Sequence, residues 1–128
     1  MSIRIVRLGT PIQPDEGIRL GTVRRLPRGV KKTDYVKLNF FDVWLPTLSP
    51  SEDLLKKKLV QEDGSGWKAF EQRFKAELKQ PDKSHLLDVL AVLSHTTNFS
   101  IGCYCKDETL CHRSILRDEL EKRGAIFK

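Results

Sequence analysis

The sequence predicts an α/β protein, with helices flanking a mostly parallel central sheet of about four or five strands. Three observations support this fold: a β-branched strand near the N-terminus, amphipathic helical patterns in the middle, and an apolar strand at residues 99–105. The last strand feeds a loop, a helix and a further short strand, which is the order of a parallel βαβ unit. With 128 residues and no low-complexity linker, the chain is expected to form a single domain over residues 1–128.

The first strands are predicted in the N-terminal third. IRIVRLG, residues 3–9, forms the first strand, and the turn-rich TPIQPDEG ends it. GIRLGTVRRL, residues 17–26, forms the second, and Pro27 and Gly29 end it before the basic loop RGVKKTD. The apolar segment VKLNFFDVWL, residues 36–45, fits either a strand or a short helix.

Helical signals dominate the middle of the chain. Residues 49–52, Ser-Pro-Ser-Glu, contain a capping box with a helix-starting proline, so a helix is expected to run to about Val60. Trp67, Phe70, Phe74 and Leu78 at helical spacing predict a second helix within GWKAFEQRFKAELKQ, residues 66–80, and Pro81 starts a third. The last helix covers 111–123 and stops at Gly124, and the residues AIF that follow form the last strand.

Composition restricts the class of protein. No apolar run approaches the roughly 20 residues that span a bilayer, so no membrane association is expected. The N-terminus lacks the apolar core of a signal peptide, which predicts a cytoplasmic protein. The 3 cysteines are an odd number within one segment, so reduced thiols are expected rather than a disulfide framework.

Positive charge is concentrated in the first third of the chain. Residues 1–37 hold nine of the 23 Lys and Arg residues and three of the 17 acidic residues, which leaves fourteen of each sign in the remainder. This asymmetry suggests a negatively charged partner, either a phosphorylated small molecule or nucleic acid. The alternative is a basic face that serves solubility alone.

The stretch CYCKDETLCHRS, residues 103–114, is predicted to lie at the carboxyl edge of the sheet and to open the last helix. Ligands bind at that edge in open α/β sheets, because the helix N-terminus directs unpaired N–H groups there. Arg113 could bind a phosphate or carboxylate through two parallel hydrogen bonds, and Ser114 could add a hydroxyl.

Three interpretations of the cysteines stay open. A metal site has enough ligands, but adjacent Cys111 and His112 are awkward for one ion, so no metal and no cofactor are predicted. A thiol nucleophile at Cys105 would lie eight residues before Arg113, across an acidic KDETL loop that repels phosphate. The third interpretation is structural, and it suits Cys103 as a small buried side chain.

Four segments carry a resemblance to a known family. RLPRGVKK (25–32), DVWLPTLSPS (42–51), WKAFEQRFKAEL (67–78) and CYCKDETLCHRSIL (103–116) resemble the uncharacterised YeaO-like proteins, the family called domain of unknown function 488. In that family a tryptophan usually precedes the proline of the first motif, whereas Leu26 stands there in this chain. The resemblance implies an α/β domain of bacterial or archaeal type and brings no established activity.

The resemblance also links the two distant basic motifs in one predicted cationic pocket. Converging positive charges cost free energy unless an anion offsets them. Within this pocket His112 could act as acid or base, and Asp42 or Asp107 could orient it or a water molecule. The predicted catalytic residues are His112, Cys105 and Cys111. The predicted substrate-binding residues are Arg24, Arg25, Arg28, Lys31, Lys32, Arg113 and Ser114.

These residues predict a binder of a phosphorylated ligand, a nucleotide or a nucleic-acid end, with hydrolase or transferase chemistry as an open question. One alternative is a nucleic-acid-binding module without chemistry that uses the basic N-terminal third. Another is a metal or redox site built on the cysteines and His112. Oligomeric state is not predicted.

Overall fold

A computed structural model of the protein covers residues 1–128 and contains a four-stranded sheet in which all neighbours are parallel. The strand order is β1-β4-β2-β3, so the last strand lies in the centre. An isolated bridge between Ile3 and Phe127 adds the C-terminus beside β1. The predicted α/β class is therefore confirmed. The strands are β1 (Ile3–Arg7), β2 (Ile18–Gly21), β3 (Val43–Trp44) and β4 (Phe99–Cys103).

Four α-helices and three short 3-10 turns complete the chain. The helices are α1 (Glu52–Lys56), α2 (Trp67–Leu78), α3 (Pro81–Leu93) and α4 (His112–Lys122), and the 3-10 turns are Lys32–Asp34, Pro46–Leu48 and Glu108–Leu110. No helix is long and apolar enough to cross a membrane.

Several element boundaries differ from the prediction. The helix α1 ends at Lys56 rather than near Val60, and Lys58 adopts a left-handed φ of 46° that no helix tolerates. Its N-cap is Ser51, whose hydroxyl accepts from the Leu54 amide at 3.1 Å. The ambiguous segment 36–45 yields only the two-residue β3, and the predicted last strand is a single bridge.

The second strand stops at Gly21, five residues before its predicted end. Gly21 is required there because a side chain would collide with the ring of Phe41. After Thr22 the chain leaves the sheet, although the Thr22 amide still donates to the Gly102 carbonyl at 3.0 Å. The basic segment that follows is therefore a loop at the carboxyl edge and not a strand.

The main core lies between one sheet face and the helices. It contains 15 buried residues, and Phe74, Leu87, Ile101 and Ile115 are all completely shielded from solvent. A second cluster lies at the carboxyl ends of the strands, where it packs loop residues against the start of α4. Its members are Leu8, Val23, Tyr35, Phe41, Cys103 and Cys111.

The opposite sheet face holds a buried ion pair. Arg19 on β2 donates to both carboxylate oxygens of Glu16, at 2.7 and 3.0 Å, and to the backbone carbonyls of Thr10 and Asn39. Glu16 also accepts from the Ser100 hydroxyl on β4 at 2.7 Å. Burial alone would raise the pKa of Glu16, but these hydrogen bonds outweigh it and the pKa is lowered. The pair holds the loops after β1 and before β3 on the sheet.

Candidate functional site

Three chain segments meet at the carboxyl edge of the sheet: the residues after β2, the residues after β4, and the first turn of α4. Thr22 and Arg24 approach His112 from one side, and Cys105 approaches it from another. Arg24, Cys105 and His112 line one cavity together with Arg25 and Cys103. Part of the predicted site is therefore assembled at this edge.

His112 is the first residue of α4, and its ring is held in one orientation. Its Nε2 atom lies 2.5 Å from the Thr22 carbonyl oxygen, so Nε2 carries the proton and donates. Burial lowers the pKa of His112 to about 4, with a further lowering from Arg113 and an opposing effect of the Thr22 hydrogen bond. The imidazole is neutral at pH 7 and is a weak base.

The Thr22 carbonyl has the orienting role that the sequence assigned to Asp42 or Asp107, so that assignment was wrong. The Asp42 carboxylate instead accepts from the Arg19 amide at 2.7 Å. Asp107 caps the 3-10 turn before α4, accepting from the Thr109 amide at 3.0 Å. The sequence analysis looked for a charged side chain as the partner of His112. A backbone carbonyl cannot be identified in this way, because every residue has one.

The sulfur atoms of Cys103 and Cys111 lie within bonding distance of each other, so the structure pairs two of the thiols that the sequence predicted to be reduced. Their Cα atoms are 7.9 Å apart. Both side chains are buried, as the sequence predicted for Cys103. The His112 Nδ1 atom lies 3.8 Å from the Cys111 sulfur. Adjacent residues can face the same point here because Cys111 is still extended, with φ −128° and ψ 145°, whereas His112 is already helical. The sequence-based argument that the adjacent residues Cys111 and His112 are awkward ligands for one metal ion therefore does not apply to this geometry.

Cys105 is the exposed thiol of the chain. Desolvation raises the pKa of this thiol, although the positive charges of Arg113 and Arg7 act in the opposite direction. The protonated thiol therefore predominates at neutral pH, and its reactivity as a nucleophile is low.

Arg113 is turned into the protein. Its two terminal nitrogens donate to the carbonyls of Val6, at 2.6 Å, and Cys105, at 2.9 Å. Only 3% of the residue is exposed, and its Nε atom is buried without a partner. Burial lowers its pKa from the ordinary value. The neighbouring Ser114 hydroxyl donates to the Cys111 carbonyl within its own helix. Arg113 thus joins α4 to β1, since both of its terminal nitrogens donate to backbone carbonyls inside the protein.

The predicted basic residues of the N-terminal third are divided among several places. Arg24 donates to the Pro50 carbonyl at 3.1 Å, and Arg25 forms an exposed ion pair with Glu52. Arg28 lines a cavity of about 290 Å³ with Arg25 and Tyr104. Lys31 and Lys32 are exposed in the loop that leads to Tyr35. Arg24 and Arg25 therefore lie near His112, whereas the Arg113 guanidinium faces β1.

A second cationic cavity, which the sequence analysis missed, lies beside β1. This β1 cavity has a volume of about 430 Å³. Its charged lining residues are Arg4, Arg7, Arg19, Arg117, Lys128, Glu16 and Glu108. Five arginines of the basic third fall in the first two predicted strands, and three of them, Arg4, Arg7 and Arg19, line this cavity. The sequence analysis did not assign their side chains to a face of the sheet.

Charge pairing in the β1 cavity is uneven. Asp15 accepts from Lys128 and, at 2.7 Å, from Arg4, which both line the cavity, and these two contacts lower the pKa of Asp15 to about 2. Arg117 pairs with Glu121 at 3.0 Å. Arg7 has no carboxylate partner, since its Nε donates only to the Tyr104 carbonyl at 3.2 Å. One guanidinium at this cavity is therefore left with most of its donors free.

Comparison with known proteins gives two similarities. The family model DUF488-N3a, described as the active DUF488-N3 subclade, matches residues 3–124. The chain is 29% identical over 122 residues to a protein of Escherichia coli (strain K12) named "Uncharacterized protein YeaO", covering 94% of this chain and 97% of that protein. No solved structure matches the chain.

Proposed function

We propose that the protein binds a phosphorylated ligand in the β1 cavity. The chain belongs to the DUF488-N3 family, and the subclade that it matches is described as active. The ligand is a nucleotide or a nucleic-acid end, and hydrolysis or group transfer is the reaction class to test. This location differs from the pocket around Arg113 that the sequence suggested, because that guanidinium is hydrogen-bonded inside the protein.

The unpaired Arg7 is the observation that supports this proposal. Five cationic side chains line the β1 cavity beside two acidic ones, and Arg7 alone among the five lacks a carboxylate. An anion in the cavity would offset the repulsion among these charges. The ion pairs of Arg4 and Lys128 with Asp15 are largely exposed, so a phosphate could replace that carboxylate at low cost.

The shape and chemistry of the cavity also suit a small phosphorylated molecule. Its volume of about 430 Å³ falls within the range of ordinary ligand pockets. Thr10 and Gln13 add polar groups to the lining, which could contact a sugar or base. Arginine guanidinium groups recognise phosphate through two parallel hydrogen bonds, which a carbonyl-bound Arg7 can still provide from its terminal nitrogens.

An Arg7→Ala variant tests the site. A hydrogen bond to a charged group contributes about 1.5–3 kcal/mol, so the variant is expected to bind a nucleoside monophosphate about 10-fold or more weakly. Calorimetric titration of the intact chain measures the change, with Arg73→Ala on the exposed side of α2 as the matched control. Equal affinity of the two variants, or equal binding of the nucleoside without its phosphate, would contradict the proposal.

Nucleic-acid binding without chemistry is a second candidate, favoured by one observation. Arg28, Lys31 and Lys32 are exposed in the loop after β2 and form no ion pair. A surface that follows a phosphate backbone loses affinity steeply with salt, in proportion to the number of phosphates contacted. Oligonucleotide binding that weakens with salt and is lost in Lys31→Ala/Lys32→Ala, but not in Arg7→Ala, would favour this candidate.

The predicted catalytic residues have separate roles in this proposal. Cys105 is the one thiol that is exposed and free of a sulfur contact, so a reaction that needs a thiol would use it. If Cys105→Ser retains all turnover of a nucleotide substrate, thiol catalysis is excluded. His112 is poorly suited to proton transfer near pH 7 because burial keeps it neutral, and Cys111 is buried beside it.

A further inference from the structure

Two thiols and one imidazole converge where β4 leads into α4. The sulfur atoms of Cys103 and Cys111 and a ring nitrogen of His112 all lie within 4.8 Å of one another. We propose that this group, the Cys/His cluster, binds one divalent ion of the zinc class through three protein ligands. Reactive zinc sites commonly have three protein ligands and one open position, with sulfur bonds of about 2.3 Å and nitrogen bonds of about 2.0–2.1 Å.

The backbone spacing favours an ion over a direct sulfur bond. The Cα atoms of Cys103 and Cys111 are 7.9 Å apart. Disulfides join Cα atoms that are about 4.4–6.8 Å apart, and a separation above about 7 Å requires the backbone to move. An ion with tetrahedral bonds of about 2.3 Å keeps two sulfurs about 3.8 Å apart. The Cα separation of 7.9 Å suits that wider sulfur spacing better than it suits a disulfide.

His112 is oriented as a metal ligand would be. Its Nε2–H donates to the Thr22 carbonyl, which leaves the Nδ1 lone pair on the side of Cys111. The carbonyl is itself fixed, because the Thr22 amide and hydroxyl both donate to Gly102 on β4 at 3.0 Å. Histidines that bind metals commonly donate their other ring N–H to a carbonyl or carboxylate, which sets the tautomer and the ring angle. Thr22 is therefore a positioning residue: its carbonyl orients His112 as a metal ligand.

Charge balance and ligand type define the ion. Binding converts two thiols to thiolates and releases two protons to solvent, so the occupied site has no net charge. A neutral site is compatible with the apolar side chains of Leu8 and Val23 in the same cluster. Two sulfurs and one imidazole nitrogen suit zinc and exclude magnesium and calcium, which prefer oxygen ligands.

The fourth position faces an existing cavity. A space of about 200 Å³ is lined by Cys105, Cys111 and His112 together with apolar residues from α1 and α2, including Leu54 and Phe70. Water or a small ligand can reach an ion at the Cys/His cluster through this space. The site is separate from the β1 cavity, so either proposal can fail without the other.

Cobalt titration of the reduced, metal-free full-length chain tests the site. One equivalent of Co²⁺ is expected to produce thiolate charge-transfer bands and the strong visible bands of tetrahedral cobalt, and one equivalent of Zn²⁺ is expected to remove them. Release of two protons per ion is measured in the same titration. Absence of these bands from the reduced wild-type chain would overturn the proposal, and this result does not depend on the folding of any variant.

Variants identify the ligands. Cys111→Ser and His112→Gln are expected to abolish the visible bands, while Cys105→Ser, the matched thiol control, keeps binding at one equivalent, with circular dichroism used to verify folding. A loss in Cys105→Ser as large as in Cys111→Ser would overturn the three-ligand assignment. A chain purified without reductant that is lighter by two hydrogen atoms, with only Cys105 reactive to thiol reagents under denaturing conditions, would show a disulfide and refute the metal site.

Discussion

At the scale of single residues, the buried Arg19–Glu16 pair shows that a positive residue in the basic N-terminal third need not be available to bind an anion. Arg19 contributes to the basic excess of the N-terminal third, yet both partners are only 1% exposed and fully hydrogen-bonded. The sequence offered Glu16 and Arg19 at a spacing of three residues without a helix between them. Their pairing across a turn and a strand arises only when the loop folds onto β2.

Removing the charge of Glu16 leaves Arg19 buried and partly unpaired. We expect Glu16→Gln to lower the free energy of unfolding by about 3–5 kcal/mol, as is usual when one partner of a buried pair is lost. Urea denaturation measures this change, with Glu62→Gln in the exposed loop after α1 as the control, which is expected to remain within about 0.5 kcal/mol of the wild type. Similar stabilities for the two variants would show that the pair is not a major source of stability.

At the scale of secondary-structure elements, α1 depends on a cap and on its neighbour α2. Ser51 accepts from the Leu54 amide at 3.1 Å, and Glu77 on α2 accepts from the Ser51 amide at 3.0 Å and from its hydroxyl. The predicted capping box pointed to this region. Ser49, however, lies outside the helix and donates to the Pro46 carbonyl instead. A helix of 5 residues is too short to be stable alone, so these contacts define it.

Ser51→Ala tests that dependence. Loss of an N-cap hydroxyl costs about 1 kcal/mol, and the Glu77 carboxylate loses a donor as well. We expect a decrease in unfolding free energy of about 1–2 kcal/mol, measured by urea denaturation. Ser65→Ala is the control, because Ser65 lies in an exposed loop and its hydroxyl reaches only the exposed Asp63. An effect no larger than that of the control would mean that α1 is held by Leu54 packing alone.

At the scale of the whole molecule, the C-terminus is tied to the N-terminal strand. Ile3 donates to the Ile126 carbonyl at 2.8 Å, and Lys128 donates back to the Ile3 carbonyl at 3.0 Å. Asp15 adds an ionic link, since it contacts both Arg4 on β1 and the Lys128 side chain. The β1 cavity lies at this junction, so its cationic lining comes from both ends of the chain.

This junction predicts a specific pH dependence. The pKa of Asp15 is lowered from 3.8 to about 2 by Lys128 and Arg4, so its contribution to stability is present above about pH 4 and is lost as pH falls toward 2. The melting temperature of Asp15→Asn should be below that of the wild type at pH 5, and the difference should shrink through this window. A difference that is constant from pH 5 to 2 would contradict the ionic origin, and added salt should reduce it because the groups are exposed.

Some features of fold and site were predictable because their signals are local. The amphipathic spacing of Trp67, Phe70, Phe74 and Leu78 gave α2, and the proline at Pro81 gave the start of α3. The apolar run from Phe99 gave the central β4, and the order of strand, loop and helix gave parallel pairing. Strand ends at Gly21 and helix ends at Lys56 were missed, because contacts with Phe41 and the following loop decide them.

The sequence by itself determined the α/β class and the burial of Cys103, because hydrophobic periodicity and parallel topology are encoded along the chain. Only the tertiary structure decided which arginines face a cavity and which donate to backbone carbonyls. An arginine looks the same in the sequence in both roles. Which role it takes depends on whether carbonyl groups from distant segments lie within reach of its guanidinium. For the same reason, the partner of His112 and the convergence of its Nδ1 with two sulfurs emerged only in three dimensions.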